Sequence, residues 1–187
     1  MFILRFVILY IFYISGLGTV QHDPEIVEKD RKNLYTSVHF NTNSPAGLMN
    51  KVQFDIRLYF CRRGAENMEK MTKSSFVVKT DADIGIKYII KNEDELTKNH
   101  RTEKENFTGF MPEERGSIYC PVASYEKYVS KLNTKCDRLW QYPRDAYYEE
   151  DTEWFCNKPV GRDALAAVMT KLSNKCGLSQ NYSNHTY

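Results

Sequence analysis

Apolar residues recur at the spacing of an α-helix in three stretches of the chain. The first stretch begins at Ser44-Pro45 and is interrupted at Gly64. Its apolar face consists of Leu48, Val52, Ile56, Tyr59 and Phe60. This pattern predicts an amphipathic helix, followed after the glycine by a second, short helix through Met68 and Met71.

Two later stretches predict further helices. Ser124 is a typical N-cap for one of them, and its inward-facing residues are Tyr125, Tyr128, Val129 and Leu132. Asp163 lies in the first turn of the other helix, and Gly177 is a typical stop signal after its last turn. The apolar face of this last helix consists of Leu165, Val168, Met169 and Leu172.

The segments between these helices predict a small antiparallel sheet. Residues 76–78 and 86–90 are rich in β-forming side chains, and the polar turn at 81–85 separates them, so they predict a hairpin. After a polar loop from residue 92 to about residue 115, residues 117–122 predict a third strand. Residues 134–161 are aromatic, acidic and irregular. The chain is therefore expected to form a mainly helical α+β domain.

The N-terminal part of the chain has a different composition. Residues 1–20 contain one charge, Arg5, and an apolar run that fits a secretory signal better than a transmembrane helix. Residues 21–33 are highly charged and are expected to be a solvated lead-in, so that the globular part begins at Leu34. Alternatively, residues 1–20 are not part of the working domain. Sequons for N-glycosylation occur at Asn106, Asn181 and Asn184.

Net charge and cysteine content limit the kinds of binding site that the chain is expected to carry. The chain has 187 residues, enough for one domain with a core. Its net charge is +2, so any DNA-binding surface must be a local basic patch. The cysteines form no C-x-x-C pair and have no histidine at zinc-ligand spacing, so no metal and no cofactor are expected. The five cysteines, at positions 61, 120, 136, 156 and 176, are expected to be reduced core thiols.

Four basic residues are candidates for binding a phosphate. Arg62 and Arg63 precede the glycine that interrupts the first helix, and the planar fork of an arginine matches phosphate oxygens. Lys98 lies in the loop after the second predicted strand, and His185 lies near the last residue. Taken singly, each of them fits an ordinary solvated surface position as well.

The order of these elements resembles the catalytic domain of tyrosine recombinases. A helix ends in Arg-x-x-Glu, a small sheet with a lysine follows, and then come a Pro-Val segment, further helices and a histidine. The sequence is most similar to the Crypton-derived recombinase-like domain of zinc-finger MYM-type and glutamine-rich nuclear proteins. The stretches that carry the resemblance are residues 51–64, 95–100, 120–125, 135–139, 177–178 and 184–185.

The resemblance implies an integrase-like core, mainly helical, with a three-stranded antiparallel sheet and a phosphate clamp. Arg63 resembles the first arginine of the clamp, with Arg62 as an alternative one residue away. Lys98 resembles the lysine of the hairpin, and His185 resembles the histidine of a His-x-x-Arg motif. In that family, such cations stabilise the charge on the phosphate while a tyrosine attacks it. Arg62, Arg63 and Lys98 are thus the implied contacts to DNA.

The resemblance also implies an incomplete site. The chain ends at Tyr187, before the second arginine and the nucleophilic tyrosine of the family. We therefore expect residues 34–187 to be a partial recombinase-like domain that lacks its C-terminal helices, carries a vestigial clamp and does not catalyse. Apolar surface on the helix of Leu165, Val168 and Leu172 should then be exposed.

Three functions remain open. The first is a domesticated transposon protein in the nucleus, associated with DNA or with nuclear regulatory complexes in transcription. The second is a fragment of an active transposon recombinase that acts in DNA integration. The third is a secreted, glycosylated binding protein, if residues 1–18 act as a signal peptide. Contact with a membrane is expected only if this N-terminal segment is retained.

Overall fold

The structure is a computed structural model, and it describes residues 25–60, 67–92 and 109–184. Its helices are α1 (Glu28–Thr36), α2 (Pro45–Phe60), α3 (Pro121–Ser130), α4 (Arg162–Ala166) and α5 (Val168–Lys175), with 3₁₀ helices at Val38–Phe40 and Met68–Lys70. Its strands are β1 (Phe76–Thr80), β2 (Lys87–Lys91), β3 (Phe110–Pro112), β4 (Gln141–Pro143) and β5 (Phe155–Pro159). The described residues therefore form a mixed fold of helices and two small antiparallel sheets.

The central helix α2 is buried on more sides than an amphipathic pattern predicts. Its predicted apolar face is confirmed, with Tyr59 half-buried and the other four side chains buried. Ser44 begins the helix by accepting a hydrogen bond from the backbone N–H of Gly47, at 3.2 Å. Polar and charged side chains of α2 are also buried, namely Lys51, Gln53, Asp55 and Arg57. Neighbouring elements therefore surround the helix.

The predicted hairpin is confirmed, whereas the predicted third strand is wrong. β2 pairs with β1 on one side and with β3 on the other, and both pairs are antiparallel. Residues 117–122 form a turn and the start of α3, because Pro121 favours the first position of a helix. The third strand lies earlier, at Phe110–Pro112, within the stretch that was expected to be a loop.

Helix α3 begins earlier than the sequence predicts. Cys120 caps it, since its sulfur accepts from the backbone N–H of Ala123 at 3.5 Å. Ser124, the predicted N-cap, lies inside the helix and donates to the carbonyl oxygen of Cys120 at 3.0 Å. The predicted inward face is confirmed by burial of Tyr125, Tyr128 and Leu132, while Val129 is half-buried.

Residues 134–161 contain a second sheet that the pattern did not predict. β4 and β5 are antiparallel, with Gln141 opposite Pro159 and Pro143 opposite Phe155. The residues around them supply large side chains to the core, since Trp140 and Trp154 are both fully buried. Aromatic side chains of this stretch are therefore part of the core.

The last predicted helix is divided in two by a break at Ala167. Its predicted inward residues are buried or half-buried, and Gly177 follows it with a φ of 59°. The expectation of an exposed apolar face is wrong, because Met169 and Leu172 pack in a small cluster with Leu34 of α1 and Tyr182. The expected start of the globular part at Leu34 is wrong as well, because α1 begins at Glu28 and Asp30 is buried.

Two clusters of buried side chains form the core. The larger cluster joins α2, α3, α4 and both sheets. The smaller cluster consists of Leu34, Phe40, Phe54, Met169, Leu172 and Tyr182. Four cysteines are free thiols, two of them buried and two half-buried, whereas Cys61 lies outside the described residues.

The predicted signal-like segment, residues 1–20, also lies outside the described residues, as does the sequon at Asn106. In the part of the chain that the structure describes, no helix has both the length and the apolar character needed to cross a membrane.

Candidate nucleic-acid interface

The four predicted clamp residues all lie outside the described residues. They belong to three segments, residues 61–66 with Arg62 and Arg63, residues 93–108 with Lys98, and residues 185–187 with His185. The described residues that flank these segments are Phe60, Asn67, Asn92, Gly109 and Asn184. The positions of these flanking residues show where the described chain stops and resumes on either side of the three segments.

The end of α2 lies against the start of β3. A Cβ atom at Gly109 would collide with the carbonyl oxygen of Tyr59 and would lie 3.2 Å from the Cα of Phe60. Position 109 therefore requires glycine, because the two backbones approach more closely than a side chain allows. The segment that carries Lys98 thus ends beside the point where the segment with Arg62 and Arg63 begins.

The other end of the Lys98 segment lies near the same point. The backbone N–H of Asn92 donates to the carbonyl oxygen of Ser75 at 3.0 Å, and its side-chain amide donates to that of Ser74. Phe76, which follows Ser75, packs its ring on the ring of Phe60, with centroids 4.9 Å apart. Both ends of this segment are therefore close to the end of α2.

The residue before His185 is also tied to the last turns of α2. Asn184 donates from Nδ2 to the carbonyl oxygen of Leu165 at 2.9 Å. Arg57, fully buried on α2, donates from Nη2 to the same oxygen at 3.0 Å. One carbonyl group of α4 therefore joins α2 to the residue that precedes the predicted clamp histidine.

Asn184 caps both helices at the break around Ala167. Its Oδ1 accepts from the backbone N–H of Met169 at 3.0 Å, in the first turn of α5, where backbone donors need partners outside the helix. Its Nδ2 donates to the carbonyl oxygen of Ala166 at 2.7 Å as well as to Leu165. The residue is only 3% exposed, so this capping lies inside the protein.

Residues 177–184, here called the C-terminal segment, are anchored to the core by two buried residues, Tyr182 and Asn184. Tyr182 is 1% exposed, and its hydroxyl donates to Oδ2 of Asp30 at 2.8 Å. The backbone N–H of Ser179 donates to both carboxylate oxygens of Asp30 at 3.1 Å. The hydrophobic pattern does not predict this docking, because the docking depends on single polar side chains; a capping asparagine is the main signal in the sequence.

The protonation of Asp30 reflects this set of donors. Burial raises the pKa of Asp30, but the hydrogen bonds from Ser179 and Tyr182 together lower it further than burial raises it. The pKa of Asp30 therefore lies below its usual value, and the carboxylate is the form that holds the C-terminal segment on α1.

A buried ion pair lies on the side of α2 that meets α1. Lys51 Nζ is 2.6 Å from Asp55 Oδ2, and both side chains are 1% exposed. The hydroxyl of Tyr35 on α1 donates to the other oxygen of Asp55, also at 2.6 Å. Burial raises the pKa of Asp55 more than Lys51 and Tyr35 lower it, so the pKa lies above its usual value. These contacts position α1 on α2.

Two buried tyrosines of the described chain have structural roles. Tyr182 donates its hydroxyl to Asp30, and Tyr128 donates to the carbonyl oxygen of Leu139 at 2.7 Å. Burial raises the pKa of Tyr125 and of Tyr128. A tyrosine nucleophile needs an activated hydroxyl, and burial acts against that activation in both cases. Across the described ranges, no group of three or more His, Cys, Asp or Glu side chains is placed to hold a metal ion.

A protein-family model described as Domain of unknown function (DUF3504) matches residues 26–174. The matched span begins just before α1 and ends inside α5. It includes both buried carboxylates, Asp30 and Asp55, while the C-terminal segment lies beyond it. A comparison with curated proteins found no match.

Proposed function

From the premise that this chain belongs to the DUF3504 family, a domain of unknown function, we propose that it is a recombinase-like domain that binds duplex DNA and does not cut it. The proposed setting is a nuclear, transcription-related protein. One observation carries the proposal, namely that the residues flanking all three predicted clamp segments meet around the end of α2.

This convergence supports a clamp because of what a phosphate site requires. Cations that hold one phosphate must come within reach of the same oxygens, although they belong to distant parts of the sequence. Phe60, Gly109 and Asn184 are the described neighbours of the three segments, and all three lie at or near the last turns of α2. In addition, the segment with Lys98 connects β2 to β3, which is the place that the resemblance implies for the hairpin lysine.

The proposal that the domain binds DNA without cutting it is supported by the contacts of Tyr182. Tyr182 is the described tyrosine nearest in sequence to His185, and it is buried with its hydroxyl bonded to Asp30. Releasing that hydroxyl would leave a buried carboxylate without one of its donors, which is unfavourable. Tyr182 therefore stabilises the fold and does not act as a nucleophile.

Salt dependence of DNA binding by the full chain tests the proposal. The logarithm of affinity should fall linearly with the logarithm of salt concentration, with a slope of about 0.9 per phosphate contacted. The double variant Arg62→Glu/Arg63→Glu should bind more weakly, and its slope should be smaller by about 2, or about 1 per lost contact. Fluorescence anisotropy with a short labelled duplex measures both quantities.

A matched control separates the clamp from bulk charge. Lys171 and Lys175 are exposed on α5, and Lys171→Glu/Lys175→Glu changes the net charge by the same amount as the arginine variant. We expect its affinity to stay close to that of the unchanged protein. Equal losses in both variants, or binding that does not respond to salt, would contradict the proposal.

Cleavage is tested separately. The full chain is incubated with supercoiled plasmid and the mixture is quenched with detergent, which traps a covalent tyrosine–DNA adduct. We expect the plasmid to stay supercoiled and free of protein. A covalent adduct would show that the chain cuts DNA and would refute the non-catalytic part of the proposal.

A further inference from the structure

A second basic surface follows directly after the segment that holds Arg62 and Arg63. The 3₁₀ helix Met68–Lys70 starts one residue after Asn67, where the described chain resumes. Residues 71–73 then pair with residues 137–139, since Lys73 N donates to Asp137 O at 3.1 Å and Leu139 N donates to Met71 O at 2.9 Å. We call the four cations on and next to these paired segments the basic ridge, which consists of Lys70, Lys73, Lys135 and Arg138.

Among the residues that the structure describes, no cation of the basic ridge forms an ion pair with a carboxylate. Lys73 Nζ donates to the carbonyl oxygen of Asn133 at 2.8 Å, and Arg138 Nη1 donates to that of Lys70 at 2.9 Å. Both acceptors are neutral, so each cation keeps its charge. Within the described residues, the cations that form ion pairs lie elsewhere, namely Arg31, Lys51, Lys87, Arg115 and Arg144.

Acidic residues near the basic ridge only partly offset it. Residues 67–75 and 133–139 contain four basic side chains and two acidic ones, Glu69 and Asp137. Glu153 lies close by as a third acidic side chain: it accepts hydrogen bonds from Thr134 and Asn133, pairs with Arg144 and also interacts electrostatically with Lys135. The surface therefore carries a net positive charge that suits an anionic partner.

The side chains beside these cations favour a duplex over single-stranded nucleic acid. Proteins that bind single strands stack bases on exposed aromatic rings. The large apolar side chains exposed in the described part of the chain include none from residues 67–75 or 133–139. Thr72 and Ser74 instead place two hydroxyls there, 2.9 Å apart, and hydroxyls are common donors to phosphates.

We infer that the basic ridge binds phosphates of the duplex DNA backbone. This inference rests on the proposed function and adds a second contact region to it. Cross-strand pairing fixes the backbone under Lys73 and Arg138. Lys70 and Lys135 are exposed next to them. Because Thr72 pairs with Arg138, the side chains of Lys73 and Arg138 leave the paired segments on opposite faces. Lys70, Lys135 and Arg138 are the exposed cations of the basic ridge.

The test replaces the two lysines whose side chains make no hydrogen bond within the described residues. In the full chain, Lys70→Gln/Lys135→Gln should lower affinity for a short duplex several-fold and reduce the salt slope by about 1 to 2. The matched control is Lys171→Gln/Lys175→Gln, which removes two exposed lysines from α5 and should leave the slope unchanged. A ridge variant that behaves like this control refutes the inference.

The variant Arg62→Glu/Arg63→Glu in the same assay separates the two proposals. If only the arginine variant weakens binding, the basic ridge is refuted and the proposed function stands. If only the ridge variant weakens binding, the basic ridge is supported and the clamp is refuted. If neither responds, both are refuted. Tighter binding of a single-stranded RNA of the same length than of the duplex would overturn the assignment to duplex DNA.

Discussion

Helix α2 and the C-terminal segment end beside predicted clamp residues, yet different interactions hold them in place. α2 supplies Leu48, Val52, Ile56 and Phe60 to the larger cluster. The C-terminal segment supplies Tyr182 to the smaller cluster, and its partly buried Leu178 packs against that cluster. Its other described anchors are hydrogen bonds at Asp30 and at the two helix ends capped by Asn184.

The two regions should therefore respond differently to destabilising substitutions. Apolar burial in the larger cluster is shared among many elements, so a defect in α2 should weaken the whole domain. The C-terminal segment depends on a few directional hydrogen bonds, so a defect there should first release that segment and the helix junction. We expect the loss of stability to be largest for a substitution at the buried ion pair of α2, smaller at Asn184 and smallest at Asp30.

The largest effect is expected at the buried ion pair of α2. Lys51→Met leaves the carboxylate of Asp55 buried without its cation, since both side chains are 1% exposed. Removing one partner of a buried pair destabilises a protein by about 3–5 kcal/mol. Urea unfolding at pH 7 measures this loss. The loss should shrink in acid, because the raised pKa of Asp55 lets it take up a proton and lose its charge.

A double variant supplies the control for this prediction. Lys51→Met/Asp55→Asn removes both charges but keeps an amide oxygen that can accept from the Tyr35 hydroxyl. It should recover most of the stability, because no uncompensated charge remains buried. If the double variant is as unstable as Lys51→Met, packing at position 51 decides the loss and the charge does not.

A smaller and more local effect is expected at Asn184. Asn184→Ala leaves the backbone N–H of Met169 and the carbonyl oxygen of Ala166 without their buried partner. Each such group costs about 1–3 kcal/mol, so we expect a loss of about 2 kcal/mol. Amide hydrogen exchange should show faster exchange at the α4–α5 junction and in residues 177–184, with little change in α2.

Asn181 offers a control three residues away. It is exposed, and Asn181→Ala should change neither stability nor exchange measurably. After Asn184→Ala, α2 and the C-terminal segment could instead lose protection equally. That result would show that the two regions unfold as one unit and would contradict the expected difference between them.

The elements that the sequence predicted are those whose burial follows a repeating pattern. The face of α2, the β1–β2 hairpin and the inward side of α3 all repeat at a regular period, and all are confirmed. The third strand was misplaced because β3 has only three residues and ends in a proline. β4 is equally short, and β4 and β5 each end in a proline. Such strands give too short a pattern to detect.

The anchors of the C-terminal segment could not be predicted for a different reason. Asp30 contacts Ser179 and Tyr182 across more than 140 residues of sequence, with separations of 149 and 152. Charged residues in a polar stretch usually face solvent, so Asp30 was assigned to a solvated lead-in. The clamp residues were identified by resemblance alone, and the meeting of their flanking residues at the end of α2 depends on such long-range contacts as well.

The smallest effect is expected at Asp30, and its dependence on pH distinguishes the two buried carboxylates. Asp30→Asn places an amide where Ser179 and Tyr182 both donate, so at least one donor loses its acceptor. We expect a loss of about 1–2 kcal/mol at pH 7. Thermal unfolding of the variant and the unchanged protein, followed from neutral to acid pH, measures the difference.

The direction of the pH effect follows from the lowered pKa of Asp30 in the folded protein. A carboxyl group of this kind stabilises the fold fully above its unfolded pKa of about 3.9, and this stabilisation is lost as pH falls through the lower, folded value. The difference between the two proteins should therefore be constant near neutrality and shrink below about pH 4. A difference that grows in acid would show that Asp30 resembles Asp55, whose pKa is raised, and that polar bonds do not hold the C-terminal segment in the way its geometry indicates.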